Sequence, residues 1–157
     1  MLNDLLEAIW RRAPKTLKRW TLRLSHPRFA VTAGAVITDD CGRVLLLKHR
    51  FRPGTGWGMP GGFIEAGEQP EEALRRELRE EIKLEVESLK LFTTRAFKRP
   101  LQVEIVFMAQ AIGVPEQLSF EIQKAAWFSI DELPDELPKD QAKLIKQALQ
   151  DGARHRD

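Results

Sequence analysis

Leu2, Leu5, Leu6 and Ile9 recur at i, i+3, i+4 and i+7, and Leu17, Trp20 and Leu24 repeat that helical spacing after Pro14. Two short amphipathic helices are predicted there, the second opened by Pro14 and stopped at His26-Pro27. From Phe29 the pattern changes to runs of β-branched and aliphatic residues. Strands are predicted over 29–38 and 43–48, with the turn-rich Asp39-Asp40-Cys41-Gly42 between them making a hairpin. Residues 52–62 hold five glycines and two prolines, so no regular element runs through them unbroken, and a functional loop is expected. Pro70 opens a helix with Glu71 and Glu72 in its first turn, where carboxylates complement the helix dipole, and Leu74, Leu78 and Ile82 form its apolar stripe. Strand-like runs follow over 84–96 and 101–112, and a last helix is predicted over 139–150.

Composition narrows the class. At 157 residues and 43% hydrophobic content the chain can bury one core. Its 25 basic and 23 acidic residues nearly balance, which argues against a disordered polyanion and against a stable nucleic-acid complex. The charge is unevenly spread, because residues 1–28 carry seven basic side chains against Asp4 and Glu7. That segment reads either as a helical extension packing on the domain or a second subunit, or as a helix for an anionic surface. The single cysteine, Cys41, excludes an internal disulfide and a cysteine-based metal cluster, which suits a reducing cytoplasm. No apolar run is long enough to span a bilayer, and no secretory signal is expected. The division read from these patterns is a basic helical extension at 1–28, one domain of strands and helices at 29–150 and a polar tail at 151–157.

The helix over 70–82 carries the chemistry. Glu71 can meet Arg75, Glu72 can meet Arg76, and Arg76 can meet Glu80 at i+4, whereas Glu77 and Glu81 have no basic residue three or four positions away. Glu77, Glu80 and Glu81 fall within an arc of about 100°, beside the apolar stripe. Like charges crowded near low-dielectric surface are destabilising unless a cation fills the site. The alternatives are a solvated acidic face and a site for a hard divalent cation, for which carboxylate oxygens suit magnesium or manganese. Gly61 and Gly62, immediately ahead, let backbone approach a ligand and offer a carbonyl oxygen.

Written out, Gly62, five residues, Glu68, seven residues, then Arg76-Glu77-Leu78-Arg79-Glu80-Glu81-Ile82-Lys83-Leu84 resembles the Nudix box of the Nudix hydrolases, with every spacing kept. The one departure is Lys83, where the family has glycine, at a helix end that favours a left-handed backbone. The resemblance implies an α/β fold, a Nudix-like α/β/α sandwich with a mixed β-sheet, here with a helical extension. It implies hydrolysis of a nucleoside diphosphate linked to another group, with Mg2+ as cofactor and Mn2+ able to substitute. By position, Glu77, Glu80 and Glu81 resemble the metal-binding glutamates, the Gly61 carbonyl an extra ligand, and Glu68 with Arg76 the pair that holds loop to helix. Glu81 or Glu80 is the expected base, with Glu121 a further candidate.

Pro100, sixteen residues after Leu84, resembles a marker of ADP-ribose and related nucleoside-diphosphate-sugar pyrophosphatases. Arg50 and Arg52, flanking Phe51, are similar to that subfamily's basic approach to its pocket, and arginine clamps a diphosphate through two parallel bonds. Trp57 reads either as a surface for stacking on a base or as a packing anchor. His49 and Cys41 are expected to play no chemical part. The expected substrate is therefore a small nucleotide, and the resemblance implies a homodimer, with the amino-terminal helices a candidate interface. The alternatives are a nucleoside triphosphate pyrophosphohydrolase and a ligand sensor without turnover.

Overall fold

The computed structural model describes residues 27–51 and 56–154, together with Arg11 and Pro14. The helices read in the amino-terminal extension, and Arg52, lie outside the described residues. Seven strands, β1 (Ala30–Thr38), β2 (Val44–His49), β3 (Trp57–Gly58), β4 (Gly61–Phe63), β5 (Glu85–Lys98), β6 (Leu101–Ile112) and β7 (Ile122–Phe128), form one mixed sheet. Among the described residues the helices are α1 (Pro70–Ile82) and α2 (Lys139–Arg154), with a single 3-10 turn at Ile130–Glu132.

The expected hairpin forms, with Thr38 opposite Val44. Its turn is held by Asp39, whose Oδ1 accepts the amides of Cys41 at 3.0 Å and Arg43 at 2.8 Å. The strand after α1 runs Glu85–Lys98, and its partner Leu101–Ile112 has the predicted bounds. β1 lies parallel to β6 along its whole length and on its other edge takes β4 antiparallel, Ala33 opposite Gly62 and Gly34 opposite Gly61. β2 in turn pairs with β7, from Val44 opposite Phe128 to His49 opposite Ile122.

Alternation along the central strands divides the core in two. Ala33, Ala35, Ile37, Leu45 and Leu47 pack under the α1 residues Ala73, Leu74, Leu78 and Ile82. Val36, Val44, Leu46 and Val106 face the other way, onto Leu144, Ile145 and Ala148 of α2 and onto Trp57 and Met59. This is why Val44–Leu47 is an unbroken apolar run rather than an alternating one: a strand covered on both faces has no polar side. The result is the expected α/β/α sandwich.

Both helix ends follow from local sequence. Pro70 stands at the first position of α1, and the Glu72 carboxylate accepts the Gln69 amide at 3.3 Å. At the other end Lys83 is left-handed, φ 54° and ψ 41°, and the Leu84 amide reaches back to the Leu78 carbonyl at 3.2 Å. The last helix runs to Arg154, four residues beyond the expected end at Gln150. Gly152 belongs to it, because a Cβ there would stand 2.8 Å from the Met108 Cε; it serves close packing, not termination.

Candidate active site

The chain around α1 is folded by one arginine. Arg76 Nε donates to Glu68 Oε1 at 2.9 Å and Nη2 to Glu68 Oε2 at 3.1 Å, while Nη2 also donates to the Phe63 carbonyl at 2.9 Å. A planar fork matched to a carboxylate thereby fastens the 63–68 loop to the helix. The hydrogen bond from Arg76, and the amide of Glu65 after it, hold the Glu68 carboxyl below its ordinary range, and Glu68 in turn pushes the Arg76 guanidinium up.

Arg76 Nη1 also donates to Glu77 Oε1 at 3.0 Å and to Glu80 Oε2 at 3.3 Å. The i,i+4 contact with Glu80 is the one the helical spacing predicts. The contact with Glu77 is not, since adjacent residues point apart on a helix; the long guanidinium stem bends back to make it. Glu81 is 8% exposed and the one buried charged residue recorded among the described residues. Its Oε1 lies 3.9 Å from His49 Nδ1.

A single cavity of about 870 Å³ joins these groups, lined by Glu77, Glu80 and Glu81, by Gly61 and Gly62, by His49 and Phe51, by Ser119, Phe120 and Glu121, and by Gln102, Glu104 and Gln141. Gly61 has φ 143°, and a Cβ there would fall 2.2 Å from the Ala33 carbonyl oxygen. At Gly62 a Cβ would fall 2.2 Å from the Glu77 carboxyl carbon. The backbone is thus pressed directly against an acidic side chain, which only a residue without Cβ permits.

The fit of a divalent cation follows from the donor set. Glu77, Glu80, Glu81 and the peptide at Gly61 offer oxygen donors only, as a hard cation requires. Among the described residues, no three acidic, histidine or cysteine side chains are close enough together to enclose an ion. Glu77 and Glu80 are turned to Arg76 and Glu81 towards His49, so side-chain rotation is required before all three share one ligand.

Of the other residues singled out in the sequence, Glu121 does line the cavity. Its loop is secured at both ends: the Arg50 amide donates to the Glu121 carbonyl at 2.7 Å, and the Ser119 amide to the Glu81 carbonyl at 2.7 Å. Arg50 stands outside the cavity lining, its Nε on the Phe120 carbonyl at 2.9 Å and its guanidinium 5.1 Å from the centre of the Phe120 ring. Trp57 does not offer a stacking surface: it is 6% exposed, edge-on to Phe128 at 5.2 Å, and packed in the core under α2. Residues not anticipated are His49, Ser119, Phe120, Gln102 and Gln141. Phe51 and Phe120, 65% and 75% exposed with ring centres 5.6 Å apart, form an aromatic rim on the cavity.

The NUDIX domain model matches residues 28–148, and the chain belongs to the Nudix family. It is 35% identical over 137 residues to the ADP-ribose pyrophosphatase of Methanocaldococcus jannaschii, covering 84% of this chain and 78% of that one. The NAD-capped RNA hydrolase NudC of Pseudomonas aeruginosa is 33% identical over 112 residues, which are 69% of this chain but 39% of the relative. Among solved structures, a MutT NUDIX hydrolase from Burkholderia pseudomallei superposes with a TM-score of 0.69 at 30% identity, over 77% of this chain and 98% of that one. The protein is a Nudix hydrolase, a pyrophosphatase in which the carboxylate-lined cavity is the candidate active site.

Proposed function

We propose that the protein is a magnesium-dependent pyrophosphatase of nucleoside-diphosphate sugars, ADP-ribose foremost, releasing a nucleoside monophosphate and a sugar phosphate. The observation that carries this reading is the continuity of the cavity. Glu77 abuts Gly62, Gly62 and Gly61 pair with Ala33 and Gly34, and Gly34 adjoins Glu104, so an acidic wall passes without a break into a polar one. With a divalent cation on the carboxylates a diphosphate fits the first and a sugar the second, and the volume suits a ligand of that size. The similarity to an ADP-ribose pyrophosphatase over most of both chains supports the same substrate class.

Glu77, Glu80, Glu81 and the Gly61 carbonyl are the groups assigned to hold Mg2+, with Mn2+ able to substitute. A bound ion neutralises charge on phosphoryl oxygens and lowers the pKa of bound water. Glu81, enclosed beside His49 with its carbonyl held by Ser119, is assigned to take the proton from the attacking water. Glu80 and Glu121 are the other carboxylates in the cavity able to do so. Glu68 and Arg76 keep the glycine loop at the helix, so that Gly62 stays against Glu77. The aromatic rim of Phe51 and Phe120 gives a base a face to stack on.

The test is product release from ADP-ribose, other nucleoside-diphosphate sugars, dinucleotides and nucleoside triphosphates, with Mg2+, Mn2+ or chelator, for the wild type and Glu81→Gln. Turnover of ADP-ribose that needs the metal and is lost in the variant is expected. Preference for triphosphates, the activity class of the alternative reading, overturns the substrate assignment, and binding without turnover would make the protein a sensor. On the same reading the enzyme acts in the cytoplasm as a homodimer, and light scattering of the full chain against one lacking residues 1–28 tests the extension as its interface.

A further inference from the structure

Glu104 stands on β6 between two cross-strand partners, Thr32 of β1 and Arg95 of β5. Its side chain is 15% exposed and lines the cavity. Arg95 directs both Nε and Nη2 at one oxygen, Glu104 Oε2, and its remaining arm, Nη1, donates to Asp140 Oδ2 at 3.0 Å in the first turn of α2. The Arg95 guanidinium also lies 5.1 Å from the centre of the Phe97 ring, which fixes its plane. A matched fork uses both carboxylate oxygens; here both donors converge on one, and Oε1 is left over. Among the described residues nothing donates to Oε1. Gly34 leaves space before it, since even a Cβ built there would remain 3.7 Å away.

The neighbouring side chain repeats the pattern. Gln102 Nε2 donates to Thr32 Oγ1 at 2.8 Å, which leaves the Gln102 carbonyl oxygen as a second acceptor on this wall. Arg95 is already engaged by Glu104 and Asp140, so its charge is balanced within the protein. Two adjacent acceptors suit two adjacent neutral donors, as a vicinal diol presents, better than the lone amino group of a base. A carboxylate at such a place accepts from a ribose hydroxyl and repels a phosphate attached there.

We propose that Glu104 is a specificity-determining residue whose Oε1 accepts a hydrogen bond from a ribose 2′-hydroxyl of the substrate, so that the enzyme prefers ribose to 2′-deoxyribose and rejects a 2′-phosphate. Arg95 and Asp140 are positioning residues for it. The inference rests on the nucleotide-hydrolase reading above and names the sugar group that this wall recognises.

The experiment compares kcat and KM for ADP-ribose, its two singly 2′-deoxygenated analogues and ADP-ribose 2′-phosphate, and for ATP against 2′-dATP, in wild type, Glu104→Gln and Asp140→Asn. In the wild type, removal of one 2′-hydroxyl lowers kcat/KM by about 10- to 100-fold, mainly through KM, because a hydrogen bond to a charged acceptor is lost. In Glu104→Gln that penalty shrinks to within about threefold and the 2′-phosphate is better tolerated, since the amide is neutral and can donate. Asp140→Asn, which loosens Arg95 rather than removing Glu104, weakens the same 2′-hydroxyl discrimination in part, and a thermal melt of Glu104→Gln matching the wild type shows that the variant is folded.

An equal 2′-deoxy penalty in wild type and Glu104→Gln for every pair, or no penalty in the wild type, overturns the inference. Turnover of ADP-ribose without Glu104-dependent selection leaves the sugar-nucleotide assignment standing and removes this one. Glu104-dependent selection between ATP and 2′-dATP alone does the reverse. Failure to turn over any of these nucleotides overturns both.

Discussion

Arg76 grips Glu68 with two arms of its guanidinium, Nε on Oε1 at 2.9 Å and Nη2 on Oε2 at 3.1 Å, and thereby holds a glycine loop against an acidic helix. Lysine keeps the charge but not the fork. Arg76→Lys is expected to cost about 1 kcal/mol of stability, by loss of charged hydrogen bonds at a partly exposed site. Its effect on kcat should be larger, about 10- to 100-fold, because small displacements at a reacting centre weigh heavily. Urea unfolding and steady-state kinetics on one preparation test this; a stability loss with unchanged kcat would separate the pair from catalysis.

The same bond gives stability a pH dependence. Glu68 is held below its ordinary value of 4.5 by Arg76 and the Glu65 amide, and Glu85 below it by Arg79. With the folded value the lower of the two, the unfolded chain binds more protons in the interval between them. Their contribution is complete above the ordinary value and disappears as pH falls through the folded one. The urea midpoint should fall on acidification below that value, less steeply in Glu68→Gln. Parallel curves for wild type and variant would remove Glu68 from the account.

Lys83 occupies a left-handed position, φ 54° and ψ 41°, where a Cβ is unfavourable. Lys83→Gly is expected to stabilise the protein by about 1 kcal/mol, because glycine adopts this conformation without the steric cost. Activity should not change, as the side chain lies outside the cavity. A lower unfolding midpoint in this variant would show that the lysine contributes more than the strain subtracts.

Gly61 and Gly62 are adjacent but should fail differently. A Cβ on Gly61 meets backbone, the Ala33 carbonyl oxygen at 2.2 Å, whereas on Gly62 it meets the Glu77 carboxyl group at 2.2 Å. Gly61→Ala should therefore lower the melting temperature markedly. Gly62→Ala should leave the fold in place, move the Glu77 carboxylate and lower kcat by about two orders of magnitude, as expected when a charge-stabilising group is displaced. Equal losses of stability in both variants would contradict the distinction.

Trp57 supplies a converse case. Buried against Phe128, it should act through packing, so Trp57→Ala is expected to destabilise by about 3–5 kcal/mol while KM in the folded fraction is unchanged. A raised KM with normal stability would return the residue to the substrate site.

Much of this arrangement is local and so legible along the chain. Pro70 and the stripe Leu74, Leu78 and Ile82 place α1 to the residue, and the carboxylate spacing places Glu77, Glu80 and Glu81 on one side of it. What could not be read depends on pairings between distant segments. β7 lies against β2, which brings the Ser119–Glu121 loop beside His49, seventy residues earlier, and nothing in either segment announces the other. Trp57 has the same neighbours in sequence whether it faces a cavity or a core; only its position beside β2 decides. Arg95 likewise gains its meaning from its register with Glu104 and from α2, which no local spacing encodes.

The loop between β6 and β7 donates the Glu116 amide to the Ile82 carbonyl at 3.2 Å and the Ser119 amide to the Glu81 carbonyl at 2.7 Å, supplying partners that the last turn of a helix lacks. The end of α1 and this loop are therefore expected to open together as one cooperative unit. In hydrogen exchange the amides of Glu116 and Ser119 should share the opening free energy of the last turn of α1. Any ligand that orders the acidic wall should slow exchange at Glu116 as well, a residue of this loop outside the cavity lining.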